Sequence, residues 1–206
     1  MKMAMLIAFG AFTLAANSAC YASDGKSYLG LGIGNSKLDL SDPGADITED
    51  SDTYIKIIGG QNLNDKFAIE FGYVDFGKFS AHYPSFNETD KAEGHALTAA
   101  GVGKVNITEN IHIIGRIGLD YWNADVSADA TIFSSPISAS GGGSDVGIFF
   151  GAGIEMEYSS NIMFRIEIEK YNNVLDGVKL NIPGYGSIMI SGEDVDLVGA
   201  SVLLGF

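Results

Sequence analysis

Val198-Gly199-Ala200-Ser201-Val202-Leu203-Leu204-Gly205-Phe206 closes the chain. Counting back from Phe206 in twos gives Leu204, Val202, Ala200 and Val198, while Leu197, Gly199, Ser201, Leu203 and Gly205 take the opposite face. A period of two belongs to a β-strand, whose successive side chains point to opposite sides. An aromatic ring at the very end of such a strand suits a bilayer interface better than open water. The stretch therefore reads as a strand with one face in lipid.

The same alternation recurs upstream. Eight segments carry it, at about 27–37, 53–61, 67–77, 94–106, 111–122, 145–158, 162–171 and 194–206. In the third, Phe67, Ile69, Phe71 and Tyr73 oppose Ala68, Glu70, Gly72 and Val74; in the seventh, Ile162, Phe164, Ile166 and Ile168 oppose Arg165, Glu167 and Glu169. No stretch sustains a helical period. A soluble barrel turns its apolar face inward, whereas a membrane barrel turns it to lipid and fills the lumen with the other face. Here the other face is mainly glycine and alanine with sparse charges, which suits a narrow interior. The connectors point the same way. Residues 62–66, 108–110 and 159–161 are tight polar turns, and residues 38–52, 78–93, 123–144 and 172–193 are long connectors. Short turns at one end and long loops at the other mark outer-membrane barrels. The expected fold is an all-β, eight-stranded antiparallel up-and-down transmembrane β-barrel. Tyr73 and Tyr121 would form the outer aromatic girdle, and Phe67, Tyr158 and Phe206 the inner one.

The chain start fits export. Lys2 is a minimal basic region, Met3 to Ala16 are apolar, and small residues permit cleavage after Ala22 or Ser18. The expected organisation is a cleaved signal peptide at 1–22 and a barrel domain at 23–206. The 206 residues carry 26 acidic and 12 basic side chains, a formal charge of -14. That balance disfavours nucleic acid, whose phosphates need a basic stripe. The single cysteine, Cys20, would leave with the leader, and it excludes a disulfide scaffold and any multi-cysteine metal site. The 27 glycines are too many for an ordinary domain and too irregular for collagen.

With the faces assigned, Lys56, Glu70, Lys104, Arg116, Glu155, Arg165, Glu167 and Glu169 point into the lumen. Four bases meet four acids, the balance of a salt-bridge network that plugs a barrel just wide enough for side chains. Val198, Ala200, Val202, Leu204 and Phe206 are the candidate assembly signal. Catalysis finds little support: His82, His95 and His112 show no His-x-Ser spacing on one strand face, and three scattered histidines match no metal site. No catalytic, cofactor-binding or metal residue is expected. The loop from Leu38 to Asp52 holds six carboxylates and no base, without the spacing of an EF-hand, and reads as an anionic surface loop.

The run Gly59-Gly60-Gln61-Asn62-Leu63-Asn64-Asp65-Lys66-Phe67-Ala68-Ile69-Glu70-Phe71-Gly72-Tyr73-Val74-Asp75-Phe76-Gly77 resembles the second hairpin of the OmpA-type outer-membrane β-barrel domain family. Gly103 to Asn110 resembles that family's third-hairpin turn. Gly151-Ala152-Gly153-Ile154-Glu155 with Phe164-Arg165-Ile166-Glu167 resembles its sixth and seventh strands, and Asp194 to Phe206 its closing strand. Two departures stand out: nothing resembling the peptidoglycan-binding part follows Phe206, and Leu204-Gly205-Phe206 replaces a Tyr-Arg-Phe-like ending. Both point to a stand-alone barrel. The resemblance implies a Gram-negative outer-membrane protein with both termini periplasmic, four external loops, and insertion by the barrel-assembly machinery through the last strand. Outer-membrane lipid and a surface ligand at the long loops are the expected partners. A structural or surface-contact role is expected, with a small-solute channel, a lipid-modifying enzyme and a soluble periplasmic barrel as alternatives.

Overall fold

A computed structural model describes residues 27–38, 46–49, 51–83, 88–132, 135–182 and 186–206. The leader therefore lies outside the described residues, as do Asp39, Asp42 and Asp50 of the acidic loop. The alternating segments fold into eleven strands: β1 (Ser27–Leu38), β2 (Asp46–Glu49), β3 (Ser51–Asn62), β4 (Phe67–Tyr83), β5 (Glu88–Asn106), β6 (Ile111–Ile132), β7 (Ser135–Ser159), β8 (Ile162–Val174), β9 (Lys179–Ile182), β10 (Gly186–Met189) and β11 (Glu193–Gly205). Eight of them close antiparallel in the order β1, β3, β4, β5, β6, β7, β8, β11 and back to β1. Closure runs from Tyr28 opposite Gly205 to Leu38 opposite Val195. The short strands lie outside the ring, β2 on β4 and the β9–β10 hairpin on β7.

Two connectors expected as loops prove to be strand. Residues 78–83 and 88–93 continue the β4–β5 ladder up to Tyr83 opposite Glu88, and residues 123–132 and 135–144 continue β6–β7 up to Ile132 opposite Ser135. Serine, alanine and glycine dilute the apolar alternation there, which hides the strand period, while hairpin pairing supplies the backbone hydrogen bonds regardless of side chain. His82 thus sits in β4 rather than in a loop. The asymmetry between the two barrel ends remains, built from tall hairpins rather than loose loops.

The outward rows end together. Ile33, Ile55, Tyr73, Leu97, Tyr121, Val146, Ile168 and Val198 are each followed two residues on toward the long-loop end by a polar or charged side chain, among them Thr53, Asp75, His95, Ser144 and Lys170. Below that collar the outer surface is apolar: Leu31, Ile117 and Ile166 are about two-thirds exposed. Such a belt would be costly in water and is at home in hydrocarbon. At the collar β4 bulges, inserting Phe76 between Asp75 and Gly77. Gly77 takes φ 83°, and the Asp52 carboxylate accepts from Lys78 N at 2.7 Å and Thr53 N at 2.6 Å. Ser36 locks the bend by donating to the Phe76 carbonyl at 2.5 Å.

Candidate functional site

The inward rows of β3 to β8 converge on the lumen. Lys56 comes from β3, Glu70 from β4, Lys104 from β5, Arg116 from β6, Glu155 from β7, and Arg165, Glu167 and Glu169 from β8. All eight are joined in one network. Lys104 Nζ donates to Glu155 Oε1 at 2.7 Å, and Glu155 Oε2 accepts from Arg165 Nη2 at 2.8 Å. Arg165 Nη2 also reaches Glu70 Oε1 at 2.7 Å, and Glu70 Oε2 lies 2.8 Å from Arg116 Nη2. Arg116 continues to Glu167 at 3.0 Å and to Glu169, while Lys56 bridges Glu169 at 2.7 Å and Glu167. Every one of these side chains is nearly or fully buried, Arg165 completely.

Alternation explains why the three β8 charges share one side: positions 165, 167 and 169 repeat at the strand period. Charges this deep need partners, since an isolated ion would lose its hydration without compensation. Here each carboxylate meets at least two cationic groups or donors. The arrangement is that of an electrostatic clamp across β3 to β8.

Apolar layers flank the charges. Toward the short turns Tyr28, Ile58 and Leu203 form one buried cluster, and Ala68, Val102 and Ile114 another. Toward the long loops Tyr54, Phe76, Trp122, Phe149, Tyr171 and Leu197 belong to a larger one that continues up the tall hairpins through Val126, Val178 and Leu180. Phe149 stacks on Tyr171 at 4.8 Å, and the Arg116 guanidinium lies 5.6 Å from the Phe149 ring centroid. The charges thus sit between two greasy layers, which lowers the local dielectric and strengthens each pairing.

Three polar side chains join the network that the charge pattern alone does not single out. The Tyr28 hydroxyl donates to Glu70 Oε1 at 2.5 Å, Ser201 Oγ to Glu167 at 3.3 Å, and the Tyr171 hydroxyl reaches Glu169 at 3.5 Å. The strand period could have found Tyr28, which shares its face with Gly30 and Gly32. Asp120 lies on the lumen face as the alternation expects, yet it stands apart: fully buried, and without an ion-pair partner among the described residues. Gly147 makes room for it, since a Cβ there would lie 2.9 Å from Asp120 Oδ1.

Four of the candidate assembly positions lie along the outer face of β11, and Phe206 follows just past its end. Val198, Ala200, Val202, Leu204 and Phe206 are all exposed, Phe206 by 72%. His112 contacts Asn106 Oδ1 through Nδ1 at 2.9 Å and Glu157 through Nε2 at 3.4 Å, while the His95 ring lies 5.7 Å from Tyr73. Above the collar, Lys170 bonds Asp194 at 3.0 Å and lies 3.5 Å from Asp196. The hydrogen bond to Asp194 and the two negative charges hold its ammonium above the ordinary lysine range.

Residues 4–186 match the family model described as the outer membrane protein beta-barrel domain. Outer membrane protein A of Klebsiella pneumoniae is 30% identical over 118 residues, which are 57% of this chain and 33% of that protein. The chain thus spans about a third of that relative's length. Among solved structures, OprG from Pseudomonas aeruginosa superposes with a TM-score of 0.54 at 14% identity, covering 86% of this chain and 95% of that one. Ail, the attachment invasion locus protein of Yersinia pestis solved with the heparin analogue sucrose octasulfate, superposes with a TM-score of 0.51 at 16% identity, covering 87% and 99%. These likenesses show a shared barrel. With the family match spanning most of the sequence, the chain belongs to the outer membrane protein beta-barrel domain family.

Proposed function

We propose that this protein is a non-catalytic outer-membrane barrel with a structural or surface-contact role, its lumen plugged by the charge network. The observation that carries the reading is the continuous eight-residue ion-pair network held between apolar layers. A conducting pore keeps its charges hydrated, whereas here Arg165 and Glu155 are wholly buried and paired, with each other and with Glu70 and Lys104. The short turns face the periplasm and the tall hairpins the exterior, as small outer-membrane barrels are built. Residues 1–22 serve as the cleaved export signal. The outer face of β11, ending on Phe206, is what the assembly machinery reads.

At the exterior, residues 37–52, 75–95, 123–146 and 170–196 hold 17 carboxylates against five lysines. A surface ligand there would be cationic or bridged by divalent cations, in contrast to the polyanion bound by Ail. Planar-bilayer recording of the purified barrel tests the plug: silence is the expected result. Steady unitary conductance would overturn it and leave the small-solute channel as the reading.

A further inference from the structure

The lipid-facing belt is not uniform. Across β4, β5, β6 and β7 one outward row runs Phe67, Gly103, Gly115, Ala152, and Gly101 stands directly above Gly103. A groove of about 510 Å³ opens here, floored by these three glycines and walled by Leu63, Phe67, Ile69 and Ile117. The floor differs in kind from the lumen glycines. An added Cβ would meet Leu203 at 2.2 Å from Gly30 and the Ala99 carbonyl at 2.4 Å from Gly118, whereas at Gly101, Gly103 and Gly115 it meets nothing within 4 Å. Packing of the barrel does not demand glycine at these three positions. What the glycines leave open is an apolar depression in the surface, of the chemistry that takes a hydrocarbon chain.

The groove lies within the apolar belt and ends at the Leu63-to-Lys66 turn, so it opens at the short-turn boundary of the membrane. Lys66 stands there, exposed, its carbonyl bonded to Lys104 N at 2.8 Å. Among the described residues its ammonium meets no carboxylate, unlike the lumen bases and the paired Lys78 and Lys170. In a chain of formal charge -14 an unpaired lysine at the mouth of an apolar groove is a complementary site for one negative headgroup. Lysine can lay its methylene stem on apolar surface and hold its ammonium at the interface.

We infer that this groove is a specific site for one glycerophospholipid of the periplasmic leaflet, an acyl chain lying over Gly101, Gly103 and Gly115 and the phosphate held by Lys66. The ordinary annular lipid slides over ridged side chains; here the chain is seated below the ridge line, with contact on three sides. That seating gains dispersion contact and a charge-assisted bond that the rest of the belt does not offer. The leaflet assignment rests on the short turns being periplasmic, while the binding itself does not.

Native mass spectrometry of the detergent-solubilised full chain, titrated with palmitoyl-oleoyl-phosphatidylglycerol or with dioleoylglycerol, tests the site. The expected wild-type spectrum shows a single phosphatidylglycerol retained at an activation energy that strips further copies. Gly103→Leu and Gly115→Leu should each weaken that retention at least tenfold, with heat-modifiable gel mobility confirming a folded barrel. Ile33→Phe, which adds bulk to the belt elsewhere, should leave it unchanged, and Lys66→Gln should abolish the preference over dioleoylglycerol. Should either glycine variant lose its heat-modifiable shift, Gly101→Ala, the mildest filling of the floor, takes its place and should still weaken retention. Equal retention by the folded glycine variants, equal loss in Ile33→Phe, no wild-type preference for the phosphate-bearing lipid, or a dimer peak that vanishes in Gly115→Leu would overturn the assignment. A failure of this kind leaves the silent-bilayer result untouched, so the two readings fall separately.

Discussion

Replacing Arg165 by methionine removes one charge while keeping much of the side-chain volume. Arg165 is wholly buried and its Nη2 lies 2.7 Å from Glu70 and 2.8 Å from Glu155. At an effective dielectric near 20, unit charges 2.7 Å apart attract by about 6 kcal/mol before desolvation is subtracted. The net cost of deleting one partner from a buried ion pair is about 3–5 kcal/mol, because the remaining carboxylate stays buried with less compensation. The substitution also turns a neutral network of four bases and four acids into one with a surplus negative charge. Trp122, the only tryptophan, is buried against the same lumen and reports unfolding by fluorescence. In urea, with a slope of about 2 kcal/mol/M, the midpoint should fall by roughly 2 M. Adding Glu155→Gln should recover a large part of the loss, since the network then holds three bases and three acids and double-mutant coupling is large for groups in contact. A loss below about 1 kcal/mol for Arg165→Met, or no recovery in the double variant, would refute the claim that the network acts as one electrostatic unit.

Other consequences can be checked with the same refolding assay. A methyl group added at Gly199 would lie 2.2 Å from the Tyr54 hydroxyl and 2.5 Å from the Ile33 carbonyl, so Gly199→Ala should cost about 1–3 kcal/mol and be relieved only in part by Tyr54→Leu. Gly77→Ala must hold φ 83° and crowd Asp52 at 2.6 Å, which should cost about 1–2 kcal/mol or more and loosen the tall β4–β5 hairpin, measured as faster amide exchange above the collar. Tyr28→Phe removes a 2.5 Å hydrogen bond from Glu70 and should cost about 1–2 kcal/mol, with Arg165 still pairing the carboxylate. Immobilised heparin should retain no intact barrel at physiological salt, and retention by surface plasmon resonance would contradict the acidic reading of the outer end.

The period of two was enough to place the wall of the barrel and the direction of every lumen charge, because a strand has only two faces and a slip of one residue would swap them all. Leu31, Ile57, Phe71, Ile117, Ile166 and Val202 face out, and Lys56, Glu70, Arg116 and Glu167 face in. The tall hairpins were not legible. Above the collar both faces meet protein or water rather than lipid, so selection for an apolar outer row ceases and Ser138, Ser140, Gly141 and Gly142 carry no alternation. Pairing partners were equally hidden, since alternation says which face a charge takes but not which neighbour it reaches. That is why the pairing of Lys104 with Glu155, and Asp120 standing alone, needed the folded barrel.

Charge is segregated in this molecule by the dielectric each region offers. Inside the belt the four bases and four acids of the network are balanced, because an uncompensated ion there is opposed by several kcal/mol of lost hydration, and Asp120 lies outside that balance. Outside it nothing forces balance: water and salt screen like charges beyond about 8–10 Å, so carboxylates can accumulate on the hairpins at little cost. The formal charge of -14 is therefore a property of the surfaces that meet water, chiefly the 17 carboxylates and five lysines of the long-loop end. The lysines divide by role in the same way. Lys56 and Lys104 are held as structural counter-ions, Lys78 and Lys170 are paired with acids at the surface, and Lys66 alone stands at a membrane boundary with its charge uncommitted among the described residues. At that boundary water already compensates the ammonium and a negative headgroup adds to it, whereas in the lumen only a protein partner can, and so the lipid site and the balanced lumen network follow from one rule applied on opposite faces of the same sheet.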